Sequence, residues 1–267
     1  MERAANQILT YDQYAERERQ GFSLPYVVEI AGTGQSLLFY GAEHTNDLDH
    51  PQFADIERRW GQFITSNQAP IALVEGRFNE LSAAETGDRA AAIVQGGEAQ
   101  FLVYLARRDG VAVVSPEPDR LAEANELAKE FGRENVMFFY VMRQLSWWHR
   151  LKEQPNLTAE TTSMLQLMQG LYKWNDVDFS VEGVEAAHAK LFGKPLPWAD
   201  RRWAYRITTP VYKDYVTNQL SRRSGELRDR HIFEEIMRYW RQGKSPFLVF
   251  GSAHAIQLEP ALQAALR

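Results

Sequence analysis

Two short stretches constrain this chain more than any other feature: Pro70–Val74 and Pro246–Phe250 are apolar at every position. A strand with one wet face alternates apolar and polar residues, so an unbroken apolar run of strand length reads as a strand buried on both faces. Such a strand needs helices above and below it, which means a mainly parallel or mixed sheet inside an α/β domain. Val111–Val114 repeats the pattern. Tyr26–Ala31 and Ser36–Tyr40 are also β-rich and are joined by Gly32-Thr33-Gly34-Gln35, a hairpin turn.

Helical spacing fills the intervals. Phe53, Ile56, Trp60, Phe63 and Ile64 form one stripe, and Phe101, Leu102 and Leu105 mark a helix over Glu98–Arg108. Asp119 is placed to cap a helix over Arg120–Phe131. Residues 1–25 are polar, close on Pro25 and read as a leading helix or arm. From about 135 to 243 the alternation stops and helices dominate, with stripes at Phe138, Val141, Met142, Leu145 and Trp148, and at Ile232, Phe233, Ile236, Met237 and Trp240. The last strand and a helix over Leu258–Leu266 close the chain. The expectation is one α/β domain over 1–267, its central sheet flanked by helices, with the helical region at about 135–243 inserted as a cap before the last strand.

Composition removes several classes of function. With no cysteine, disulfides, thiolate zinc sites and cysteine nucleophiles are out, so any metal must be held by His, Asp and Glu. The net charge of −5 and interrupted basic stretches argue against a nucleic-acid partner. No run approaches about 18 apolar residues and no leader-like segment opens the sequence, so the expectation is a cytoplasmic protein without a membrane partner. The sequon Asn156-Leu157-Thr158 then carries no meaning. There is no Gly-x-Ser-x-Gly elbow, no His-Glu-x-x-His and no phosphate loop.

Each expected strand runs into a polar cluster: Gly41-Ala42-Glu43-His44, Glu75-Gly76-Arg77, Ser115-Pro116-Glu117-Pro118-Asp119, and Gly251-Ser252-Ala253-His254. In parallel strands these clusters emerge at one sheet edge, where open α/β sheets bind ligands. The two Gly-x-x-His tetrapeptides are the sharpest feature. Glycine at a strand end permits a tight turn, and the histidine three residues on projects over the edge. Glu75 directly succeeds a buried strand, where a carboxylate is costly unless paired or metal-bound. Glu117 and Asp119, beside prolines, are explained by a turn and a cap. His50, His149, His188 and His231 lack a strand-end setting and read as structural. Ser252 reads as a turn residue, and Trp147, Trp148, Trp198 and Trp203 read as core rather than as a roof over a site.

The motifs Gly41-Ala42-Glu43-His44, Val74-Glu75-Gly76, Glu98-Ala99-Gln100-Phe101, Arg228-Asp229 and Gly251-Ser252-Ala253-His254 resemble, in order, those of the erythromycin esterase/ChaN-like superfamily, which includes the TraB and Tiki proteins. The resemblance implies a site built from His44, Glu75, Glu98, Arg228 and His254. Tiki-like members are regarded as metal-dependent proteases, esterase-like members open a lactone without metal, and ChaN binds haem. Two departures limit the carry-over: the esterase-like motif is usually Gly-Glu-x-x-His, whereas here Glu43 directly precedes His44, and the leader and membrane tail of secreted members are missing.

The expected activity is hydrolysis of an ester, lactone, peptide or other amide bond in a small-molecule or peptide substrate. With a divalent transition metal (manganese, zinc or iron), His44, Glu75 and His254 are the expected ligands, Glu98 or Glu43 the base, and Arg228 the group that steadies the developing anion. Without metal, His44 takes the proton from water, oriented by Glu75. The alternative is a non-catalytic haem- or metal-binding protein using the same residues; a partner-binding scaffold is a third class.

Overall fold

The computed structural model describes residues 2–76, 88–151 and 153–266. It divides into two compact units, residues 1–117 with 228–267, and residues 118–227.

The first unit holds the sheet, formed by β1 (Tyr26–Ala31), β2 (Ser36–Ala42), β3 (Pro70–Val74), β4 (Val113–Val114) and β5 (Ser245–Gly251) in the order β1-β2-β5-β3-β4. The β1–β2 hairpin is antiparallel, and β2, β5, β3 and β4 are mutually parallel. The runs Pro70–Val74 and Pro246–Phe250 have the expected cause, whereas Val111–Val114 does not form a buried strand: only Val113 and Val114 pair, at the sheet edge, and both are half-buried. Phe39, Ile71, Leu73, Leu248 and Phe250 face one core, shared with Ile232, Phe233 and Ile236 of α10 (Val216–Arg241) and Leu258 and Leu262 of α11 (Ser252–Leu266). Leu38, Tyr40, Ala72, Val74, Phe247 and Val249 face the other, against α3 (Pro51–Ser66) and α4 (Arg89–Arg108). Each fully buried phenylalanine there contributes about 1.5–3 kcal/mol. The leading segment forms α1 (Glu2–Ala5) and α2 (Tyr11–Gln20), the latter closed by a Thr10–Gln13 capping box.

Two helices of this unit start earlier than their sequence stripes. α4 begins at Arg89, capped by Asp88, and continues through a break at Gly96–Gly97 that reads in sequence as a helix start. α11 succeeds β5 without a loop, so His254 lies in its first turn.

The second unit is all helical: α5 (Arg120–Phe131), α6 (Arg133–Trp148), α7 (Leu157–Tyr172), α8 (Val181–Phe192), α9 (Arg201–Thr208) and the start of α10. It runs from Pro118 to Leu227, whereas the sequence pattern marks about 135–243; α5 belongs to it, and the end of α10 to the sheet. Its own core is built on Phe138, Phe139, Met142, Leu145, Leu165 and Val184. Among the described residues no helix is long and apolar enough to cross a membrane.

Candidate active site

The parallel strands deliver the polar clusters to one edge. β2 and β5 pair through Ala42 and Gly251, β3 and β5 through Val74 and Val249, so His44, Glu75 and His254 each leave the sheet just past its C-terminal end. Glu117 lies beyond β4 at the same edge, and α10 contributes Arg228 and Asp229.

Two histidine–carboxylate pairs meet at Glu75. His44 Nδ1 lies 2.5 Å from Glu98 Oε1, and its Nε2 is 4.0 Å from Glu75 Oε2. His254 Nδ1 lies 2.5 Å from Asp229 Oδ1, and its Nε2 is 3.6 Å from Glu75 Oε1. Carboxylates only accept here, so each imidazole donates through Nδ1 and turns Nε2 toward Glu75. The Gly251 N–H donates to Glu75 Oε2 at 2.7 Å and fixes that carboxylate on the last residue of β5. Arg228 Nη2 stands 3.6 Å from Glu75 Oε1, while Glu117 takes its Nε–H at 2.9 Å and Nη2–H at 2.7 Å in a two-point fork.

The two pairs differ in exposure. The His44 side chain is 67% exposed and that of His254 only 11%. The hydrogen bond to Glu98 is the main force holding His44 above the ordinary imidazole range; burial opposes it and the Glu75 charge assists. For His254, burial favours the neutral form, as does a place in the first turn of a helix, where the dipole repels cations. The Asp229 charge and hydrogen bond, with Glu75, overcome both and push it up to about 10. Asp229 Oδ2 is buried with no hydrogen-bond partner among the described residues. Burial would raise Glu75, but His254, Arg228 and His44 outweigh it and hold the carboxyl well below its usual range. Burial likewise opposes ionisation of Glu117, and Arg228 holds it down.

The glycines of the two tetrapeptides are required, but not for the turns the sequence implies, since neither has positive φ. A Cβ on Gly41 would lie 2.7 Å from Tyr26 O and 2.8 Å from Ala255 Cβ; here the backbone of β2 is crossed closely by β1 and α11. A Cβ on Gly251 would lie 2.6 Å from His44 Nε2, so this glycine is the floor on which the His44 ring rests. Positive φ does matter at Gly97, whose +59° conformation breaks α4 just ahead of Glu98 and lets Thr45 O approach.

The structure therefore brings together His44, Glu75, Glu98, Arg228 and His254, and adds Glu117, which in sequence is explained by a turn, and Asp229, which stands in a quoted motif without a role. It leaves Glu43 out: that side chain is exposed, and its ion partner is His50 at 3.8 Å. The partner holding His44 is Glu98, not Glu75. Arg77 lies outside the described residues. His50 caps α3, His149 donates to Trp198 O, and His188 accepts from the Trp203 indole; His231 stands on α10 beside Glu235. Within the helical unit Trp148 is buried core, Trp198 donates to Glu185, and Trp147 is exposed. Asp119 caps α5 through Ala122 N–H.

As donors, His44, His254 and Glu75 suit a divalent transition ion, because anchoring Nδ1 on a carboxylate is how proteins orient a metal-bound histidine. Their spacings of 3.6 and 4.0 Å exceed the roughly 3.3 Å expected between ligands on a tetrahedral ion. Among the described residues no group of three or more His, Asp and Glu is drawn into metal-holding geometry. No family model, no curated protein and no solved structure matches the chain.

Proposed function

We propose that this site hydrolyses an ester, lactone or amide bond, with His44 as the general base. The observation that carries the reading is the pairing of an exposed imidazole, fixed through Nδ1 by Glu98, with a carboxylate 4.0 Å from its Nε2. A gap of that width accommodates one water hydrogen-bonded to both atoms. In this reading His44 Nε2 takes a proton from that water as its oxygen adds to the carbonyl carbon. Negative charge collecting on the carbonyl oxygen is met by the imidazolium of His254 and the guanidinium of Arg228. Collapse of the adduct breaks the bond to the leaving alcohol or amine, which receives its proton from His44. Glu75 keeps the two imidazoles facing one place.

A second reading is supported by the carboxylate anchoring of both Nδ1 atoms: His44, His254 and Glu75 would hold a divalent ion, which supplies Lewis-acid polarisation and an acidified water. The test is a panel of chromogenic esters, lactones and peptides at pH 6–8, with chelator or with added manganese or zinc. Expected is turnover that survives chelator and falls by about a hundredfold or more in His44→Ala. Turnover only with metal favours the second reading, and His44→Ala as active as wild type refutes the assigned base.

A further inference from the structure

We propose that Glu117 is a positioning residue of this site, acting through Arg228: its carboxylate fixes the guanidinium so that Nη2 faces Glu75 and the reacting carbonyl. The inference rests on the hydrolytic reading and adds to it a residue that the surrounding prolines explain, in sequence, as part of a turn.

The geometry is that of a clamp. Glu117 Oε2 accepts from Nε at 2.9 Å and Oε1 from Nη2 at 2.7 Å, and the Glu117 side chain is only 4% exposed. Oε1 also takes the Gly76 N–H at 3.4 Å, tying the clamp to the turn that carries Glu75. Thus one buried carboxylate joins two parts of the site far apart in sequence. An arginine side chain has much rotamer freedom to lose, and a fork at two points removes that freedom before substrate arrives. A buried ion pair is a poor source of stability, since well-packed apolar residues often replace it without loss. Arg228 Nη2 is shared, 2.7 Å from Glu117 and 3.6 Å from Glu75. Glu117 cancels the guanidinium charge rather than adding to it, so what it supplies is direction.

Both variants break the fork: Glu117→Asp shortens the reach by one methylene, while Glu117→Gln replaces one of the two acceptor oxygens with a donor that repels the guanidinium N–H. If Glu117 orients Arg228, both lower kcat by about 10- to 100-fold with KM within about threefold, because a misplacement near 1 Å costs about 10²-fold. Removing one partner of a buried pair leaves the other uncompensated, so melting temperatures of the full chain should fall, and kcat is read well below both melts; the Glu117→Gln/Arg228→Lys double variant should be no slower than Arg228→Lys. The Arg228 Nε–H, followed by ¹⁵N NMR, should lose its protection from solvent exchange in both Glu117 variants. Wild-type kcat in Glu117→Asp, additive losses in the double variant, or unchanged protection of Nε–H would each overturn the proposal while leaving the hydrolytic reading standing. A wild type inert across the panel would overturn both.

Discussion

Gly251→Ala separates the position of His44 from the stability of the fold. The added carbon would sit 2.6 Å from His44 Nε2, 3.0 Å from Cε1 and 3.4 Å from Glu75 Oε2. Ordinary contact begins near 3.5 Å, so the ring must retreat by about 0.9 Å. It is tethered at Nδ1 to Glu98 at 2.5 Å, and a retreat pivots Nε2 away from Glu75 or breaks the tether. Displacement on this scale costs about 10²-fold in kcat/KM, which is about 2.7 kcal/mol of barrier. The fold should hardly respond, because the obstruction is the end of an exposed side chain and Gly251 does not have positive φ; the expected change in Tm is within about 2 °C. Gly41→Ala is the control. Its Cβ meets Tyr26 O at 2.7 Å and Ser252 Cα at 3.0 Å, backbone that cannot step aside, and should cost about 1–3 kcal/mol of stability. Calorimetric melts and steady-state hydrolysis of the two variants read the contrast. Gly251→Ala with full activity, or with a melt as depressed as that of Gly41→Ala, would show that Gly251 does not set the position of His44.

The same geometry sets the pH and metal responses. His254 titrates near 10 in the folded chain against 6.5 unfolded, so its contribution is complete below pH 6.5, fades as pH rises and is gone above about 10; Asp229→Asn should flatten that alkaline decline in urea melts. Glu75 is depressed, so its contribution is present above its usual value of 4.5 and lost as pH falls through the folded value; Glu75→Gln should blunt the acid limb. Glu98→Gln removes the main force raising His44 and should move the rising limb of the pH–rate profile to lower pH; an unmoved limb would dissociate Glu98 from the base. Elemental analysis and an absorbance scan of purified protein should leave activity uncorrelated with metal, whereas a Soret band or a stoichiometric transition metal would favour the binding readings.

Much of the architecture was legible because apolar runs leave few choices: Pro70–Val74 and Pro246–Phe250 have no polar side to present to water. The residues themselves marked the candidate site where one stands just after a strand, as His44, Glu75 and His254 do; Glu98 and Arg228 stand on helices, and only the ordered motifs pointed to them. Glu117 also stands after a strand, but its partner Arg228 is 111 residues away and no local pattern joins them. Asp229 left a subtler sign. It stands three, four and seven residues before Ile232, Phe233 and Ile236, on the apolar stripe of α10, where a carboxylate needs a buried partner. The charge run Arg228-Asp229-Arg230 hides that face. The glycines were located correctly and explained wrongly, because clearance between a side chain and a neighbouring strand is a tertiary property.

The claim that His44 is the base is tested most directly by titrating its ring and the reaction in one sample. The His44 Cε1–H resonance, assigned by its loss in His44→Ala, gives one midpoint, and kcat/KM against pH gives another. If His44 is the base, the two coincide above the ordinary imidazole value of 6.5, with rate rising as His44 loses its proton. A rate that rises at a pH where His44 does not titrate, or that falls as His44 deprotonates, would contradict it.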